Sequence, residues 1–149
     1  VTDPNFQQPV AGEPLLAQPF YGAPFGAAVQ RFWKKYATFS GRASRSEYWW
    51  WFLVSFLVSG ILSGLSYIGG GPTGSNGGPT ALYIIFSIVL GIWGLATIVP
   101  SLAISWRRLH DSNHSGGFWF LSFIPLVGGI ILLVFVLLPP DARGERFDR

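Results

Sequence analysis

Two long stretches of this chain carry no Asp, Glu, Lys or Arg. The first runs from Tyr48 to Trp106 and the second from Ser112 to Pro140. Apolar residues crowd both, without the strict alternation of a half-buried strand. A helix crosses a bilayer with ~20 mainly apolar residues, so the two stretches predict about three spans, near residues 48–68, 80–106 and 117–138. "GGGPTGSNGGP", residues 69–79, separates the first two as a flexible glycine-rich loop. It lacks the Lys-Ser/Thr ending of a phosphate-binding loop. Pro100 predicts a kink in the second span, because proline removes a helical hydrogen bond. "IPLVGG" predicts a break in the third. A re-entrant hairpin is the alternative there, since each arm beside Pro125 and Gly128-Gly129 is short.

Ahead of the spans, Val29, Phe32, Trp33 and Tyr36 recur at helical spacing, while Arg31, Lys34 and Lys35 fall elsewhere. This predicts an amphipathic helix over residues 27–39, lying in the headgroup layer. Residues 1–26 hold prolines at 4, 9, 14, 19 and 24. Proline resists both helix and sheet, so this tail reads as extended. Phe6, Leu15, Leu16, Phe20, Tyr21 and Phe25 give it apolar anchors suited to docking on a partner. The fold class predicted is an all-α membrane protein with about three transmembrane helices, an interfacial helix, a Pro-rich tail and a charged C-terminal segment, residues 141–149.

"SGRASRSEYWWW", Ser40 to Trp51, joins these regions. Ser44 and Glu47 fit the S-x-x-E capping box. Tyr48, Trp49, Trp50 and Trp51 then fall at the depth where amphipathic rings favour the membrane interface. The junction therefore predicts a helix entering lipid, with Arg42 and Arg45 among the phosphates.

Charge sharpens the picture. Charged residues make up 11% of the chain, against ~25% in soluble proteins. The net +3 comes from clusters that flank the apolar runs. Lys and Arg precede the first span and follow the second, so the N-terminus and second loop are predicted to face the cytoplasm. The C-terminus lies outside with three spans and inside with a hairpin. No basic stripe suggests nucleic-acid binding. With no cysteine, thiolate chemistry is excluded. Ser55, Ser59 and Ser63, with Gly60 and Gly64, form a small-residue face on span one. Ser87, Gly91 and Gly94 form another on span two.

"GRASRSE" and "RRLHDSNHS" fall on the same predicted face. Glu47 is expected to pair with Arg107 or Arg108, and Asp111 with Arg42 or Arg45. His110, Asp111 and His114 lack a fourth ligand and the spacing of a zinc site. No nucleophile elbow surrounds Ser112 or Ser115 beside the His110–Asp111 pair. Nor does a charge lie within the spans, as a proton relay would need. The sequence therefore calls for no metal, cofactor or catalytic set. Arg42, Arg45, Arg107 and Arg108 are candidates for binding anionic phospholipid headgroups.

"FSGRASRSEYWWWFL", "PSLAISWRRLHDSNHSGGFWFL", "IPLVGGIILLVFVLLP" and "GERF" resemble the domain-of-unknown-function 805 family. The likeness runs from about Phe39 to Phe147 and leaves out the proline tail. The ending "PPDARGERFD" departs from the P-G-T-x-G-x-N-R-F-G-like stretch usual in the family. The resemblance implies a small helical protein of the bacterial inner membrane and brings no activity with it. The functional expectation is a non-catalytic accessory subunit of a larger membrane complex, such as a respiratory one, docked through its tail and helix faces. A small transport or anionic-lipid-binding protein is the alternative.

Overall fold

A computed structural model describes residues 12–148 of the 149-residue chain. Among these residues the regular structure is entirely helical. Helix α1 spans Phe25–Lys34, α2 Arg45–Ile68, α3 Ala81–Asp111 and α4 Gly128–Leu137, with 3-10 helices at Gly116–Phe123 and Ala142–Phe147. Phe6 and the first prolines lie outside the described residues.

Among the described residues, α2 and α3 are the two helices long and apolar enough to cross a membrane. They form an antiparallel pair joined by the glycine loop. Ser44 caps α2: its hydroxyl accepts from the Glu47 N–H while the Glu47 carboxylate accepts from the Ser44 N–H. Thr80 caps α3 in the simpler way, accepting from the Tyr83 N–H. The pair leaves much of its apolar surface outward: Phe56 is 66% exposed, Ile92 62% and Leu95 75%. A surface this apolar, on helices that satisfy their own backbone polar groups, suits lipid rather than water.

Pro100 does not divide α3, which runs as one helix through it. Proline cannot donate to the carbonyl four residues back, that of Ala96. The Tyr36 hydroxyl donates to that carbonyl at 2.7 Å, so the orphaned acceptor is satisfied from outside the helix.

The third apolar block differs from the expectation of a spanning helix. Its two arms, Gly116–Phe123 and Gly128–Leu137, pack against each other. Leu126 between them takes a positive φ of 69°, and Pro125 precedes it. An added Cβ at Gly128 would meet the Leu121 and Ser122 carbonyl oxygens at 2.5 Å, so the turn needs glycine there. At ~2.0 Å per residue the first arm is ~16 Å long. The second, at ~1.5 Å per residue, is ~15 Å long. Each reaches about half of a ~30 Å hydrocarbon core.

The α1 expectation also shifts. Its buried stripe is Ala28, Arg31, Phe32 and Lys35, not Val29, Phe32, Trp33 and Tyr36. The helix is rolled by about one residue, which turns Arg31 and Lys35 inward and leaves Trp33 and Tyr36 exposed. Phe32 stacks on Trp51, with ring centroids 3.3 Å apart. Trp51 is accordingly a core residue, 3% exposed, and not an interfacial ring. It donates from Nε1 to the Ser101 hydroxyl at 3.1 Å and lies 5.9 Å from Trp93, tying α1, α2 and α3 together.

Candidate functional site: a buried polar layer

The polar groups gather at one end of the helix pair. That end holds the start of α2, the end of α3, the end of α4 and both terminal segments. Two carboxylates organise it.

Glu47 is 2% exposed. It accepts from Arg31 Nε at 2.7 Å, from the Phe20 N–H at 3.0 Å and from the Ser44 N–H at 2.9 Å. Its partner is therefore Arg31, not Arg107 or Arg108. Arg31, 1% exposed, also donates to Glu13 at 3.2 Å and to the carbonyls of Pro14, Leu15, Leu16 and Gln18. The extended Pro-rich segment forms no helix of its own, so its carbonyls are free to accept. The planar five-donor guanidinium fork suits such a cluster of acceptors.

Asp111 is fully buried. It accepts from Arg108 at 2.6 Å and from the Tyr21 hydroxyl at 2.5 Å, with Arg42 3.9 Å away. Arg45 does not join this pair. It is exposed, and its Nε donates to the Leu138 carbonyl at 3.3 Å. Burial and the Asp111 carboxylate push the Tyr21 phenol well above its ordinary pKa. Arg108 donates as well to the Val136 carbonyl at 2.9 Å and to the Leu138 carbonyl. Carbonyls at a helix C-terminus lack partners inside the helix and carry partial negative charge. Arg108 thus closes the end of α4 and brings the hairpin back to the layer.

The C-terminal segment is built in similarly. Arg42 donates to Asp148 at 2.7 Å, and this hydrogen bond holds its guanidinium pKa above the ordinary value. The His110 ring stacks on Phe147, centroids 4.0 Å apart and planes 3° apart. Its Nδ1 lies 3.0 Å from the Gly41 carbonyl, an acceptor only, so Nδ1 carries the proton. Gly41 donates to the Phe147 carbonyl at 2.6 Å with a φ of 79°. An added Cβ there would lie 2.7 Å from the Ala17 carbonyl oxygen. The glycine of "GRASRSE" is thus fixed by both conformation and space.

His110 is occupied by Gly41 and Phe147, while His114 faces Ser112, Phe118 and Phe135. The two histidines and Asp111 do not converge. Among the described residues no group of three potential metal ligands comes together.

The tail anchors divide. Tyr21 uses its hydroxyl, and Phe20 its backbone, within the chain. Leu15 and Leu16 are exposed, as is Phe25, whose ring also meets Trp50 at 5.4 Å. Residues 12–24 thus make their polar contacts within their own chain. Sequence reasoning missed Arg31, Lys35, Glu13 and Asp148. The signal available for the first two is the stripe 28, 31, 32, 35, which has helical spacing but carries two charges.

Two long apolar helices with outward hydrophobic surface, closed at one end by a buried ion-pair layer, define a helical membrane protein. The chain belongs to the family described as Protein of unknown function (DUF805), which it matches over residues 36–149. It is 38% identical to inner membrane protein YhaI of Escherichia coli K12 over 114 residues, 76% of this chain and 86% of the relative. It is 33% identical to inner membrane protein YhaH of the same organism over 102 residues, 68% of this chain and 77% of the relative. No solved structure matches it. Arg31, Lys35 and Tyr21 precede the family match, so the polar layer joins family residues to residues outside it.

Proposed function

We propose that this chain is a non-catalytic accessory subunit of a larger complex in the bacterial inner membrane, a respiratory complex being one such assembly. The observation that carries this reading is an open groove of about 410 Å³ on α2, lined by Phe52, Ser55, Phe56, Ser59, Gly60 and Ser63. Added Cβ atoms at Gly60, Gly64, Gly91 and Gly94 would meet nothing within 4 Å. The glycines of these faces therefore do not serve the α2–α3 contact. In lipid, such faces let another helix approach closely, so the occupant is a small-faced transmembrane helix of a partner. The exposed side chains Leu15, Leu16 and Phe25 offer a second surface on the tail.

In this reading α2 and α3 cross the bilayer, and residues 116–137 enter and leave on one side as a hairpin. The Lys and Arg around residues 31–45 and 107–108 favour the cytoplasmic face for the polar layer. The N-terminal tail and the C-terminal segment both lie there, and the glycine loop faces outward. Arg42 and Arg108 are engaged within the chain, so anionic-lipid binding by the whole arginine cluster is the less supported reading.

Purification from native membranes in mild detergent, with mass spectrometry, tests the proposal. A stoichiometric partner that is lost with Ser59→Phe supports it. A solitary wild-type protein contradicts it.

A further inference from the structure

The short stretch from Gly41 to Ala43 is bonded in three directions. The Gly41 N–H donates to the Phe147 carbonyl at 2.6 Å, the Arg42 N–H to the Ala17 carbonyl at 3.0 Å and the Ala43 N–H to the Arg107 carbonyl at 3.0 Å. Successive amides thus hold the C-terminal segment, the Pro-rich tail and α3. The Arg42 side chain repeats the pattern. Its guanidinium bonds Asp148 at 2.7 Å and lies 3.9 Å from Asp111 Oδ1, the same oxygen that accepts from the Tyr21 hydroxyl. Asp111 is a second bridge. Its side chain takes Tyr21 of the tail, while its carbonyl accepts from the Asp141 N–H of the C-terminal segment at 2.8 Å. Among the described residues, no hydrogen bond or ion pair joins the tail to the C-terminal segment directly.

We propose that residues 12–24 and 141–148 are a strap and a latch, two halves of one conformational device that open together through Gly41–Arg42 and Asp111. Both bridges are buried, Arg42 at 7% exposure and Asp111 at 0%. If the latch leaves, the Gly41 N–H loses its acceptor and Arg42 keeps only Asp111 as a carboxylate. The guanidinium is then drawn onto the oxygen that holds Tyr21. An unpaired buried donor and a half-matched buried charge are both costly, so the network responds as a unit. Packing adds to this coupling from both sides. A Cβ on Gly41 would lie 2.7 Å from the Ala17 carbonyl oxygen, and one on Gly144 would strike the His110 carbonyl and lie 3.3 Å from Arg42 Cδ. The Gly41–Arg42 backbone therefore cannot move without disturbing the strap. Release of the strap takes the Phe20 N–H from Glu47 and the Gln18 carbonyl from Arg31. Whatever displaces or cuts the C-terminal segment thereby opens the Arg31–Glu47 pair. The device stands apart from the accessory role, since it uses neither the α2 groove nor the outward side chains of the tail.

Hydrogen exchange read by mass spectrometry on the full chain in mild detergent tests the device. In Asp148→Ala, exchange over residues 17–23 should rise at least about fivefold, although none of these residues is bonded to Asp148. In Tyr21→Phe, exchange over residues 141–147 should rise in turn, because coupling between two segments is reciprocal. Residues 52–65 of α2 should keep their protection in both variants. Arg143→Ala breaks only the exposed pair with Asp141 and should change neither segment. A rise confined to the substituted segment overturns the proposal. A rise that includes α2 equally does so too, since the layer would then open only with the whole fold. The two variants are read separately, so that if one folds poorly the other still decides.

Discussion

Along the membrane helices, the contacts are mostly apolar and undirected, and rings mark them. Trp51 with Trp93 and, at the far end, Tyr67 with Tyr83 mark the pair, and most other apolar side chains face outward. At the polar end the reverse holds: arginines are buried, and nearly every contact is a directed hydrogen bond. The helix pair tolerates outward apolar surface because lipid accepts it. In the polar layer most of the buried charge is held by specific partners, as Arg31 by Glu47 and Arg108 by Asp111. Composition therefore governs one region and geometry the other, and substitutions should separate them.

The largest effect is expected at Glu47. Glu47→Ala leaves Arg31 buried with the more exposed Glu13, at 3.2 Å, as its remaining carboxylate, and the loss should be ~3–5 kcal/mol, read as a fall in unfolding temperature in detergent. Adding Arg31→Met should recover much of that loss, because the uncompensated charge goes with it. If the double variant falls as far as the two single variants summed, the pair is not the organising contact.

Gly144→Ala should come next. Its Cβ would strike the His110 carbonyl, backbone that cannot swing aside. Overpacking of this kind costs ~1–3 kcal/mol, and the C-terminal segment should become sensitive to protease. Ser44→Ala removes the α2 cap and a hydrogen bond to the Phe20 carbonyl, and should cost ~1 kcal/mol. Filling the open side, as in Gly91→Ala, should leave stability unchanged, since nothing lies within 4 Å of the new methyl group.

Lys35 gives the polar end a pH signature. It titrates near 7 in the folded chain against an ordinary 10.5. Between those values the unfolded chain binds more protons than the folded one, so stability rises with pH across that window. Below about 7 the contribution is flat and at its least favourable. Unfolding measured in chloride from pH 6 to 10 should show this rise in the wild type and not in Lys35→Met. At the bottom of the scale, the exposed Asp141–Arg143 pair should show no measurable effect when Arg143 is replaced by Ala.

The sequence was legible where physics is local. The capping box at Ser44 and Glu47 needs only a four-residue pattern, and the structure contains both halves of it. The two long apolar helices follow from composition. Partners in the polar layer were not legible, because each is chosen across a long separation. Arg31 reaches Glu47, Arg42 reaches Asp148, and Arg108 reaches the end of α4. The stripe on α1 misled for a related reason. Apolar periodicity names the face that avoids water, yet the buried face here is half charged and is satisfied by a tail that offers free carbonyls. In the third block, Pro125 and Gly128 were visible as a break. That Arg108 caps the second arm, at the Val136 and Leu138 carbonyls, is disclosed by no pattern within the block.

In the proposed topology the segment from residue 12 and the C-terminal segment, which share the polar layer, lie on one side of the membrane and the glycine loop on the other. The chain has no cysteine, so single substitutions report cleanly. Ala17→Cys, Ser75→Cys and Ala142→Cys occupy exposed positions in the tail, the loop and the C-terminal segment. Labelling intact cells whose outer membrane has been permeabilised, with a maleimide that cannot cross the inner membrane, is the most direct test. The account predicts modification of residue 75 alone, with residues 17 and 142 reacting only after the inner membrane is opened. Modification of residue 142 together with residue 75 would mean that the third block crosses the bilayer, and the shared polar layer would be contradicted.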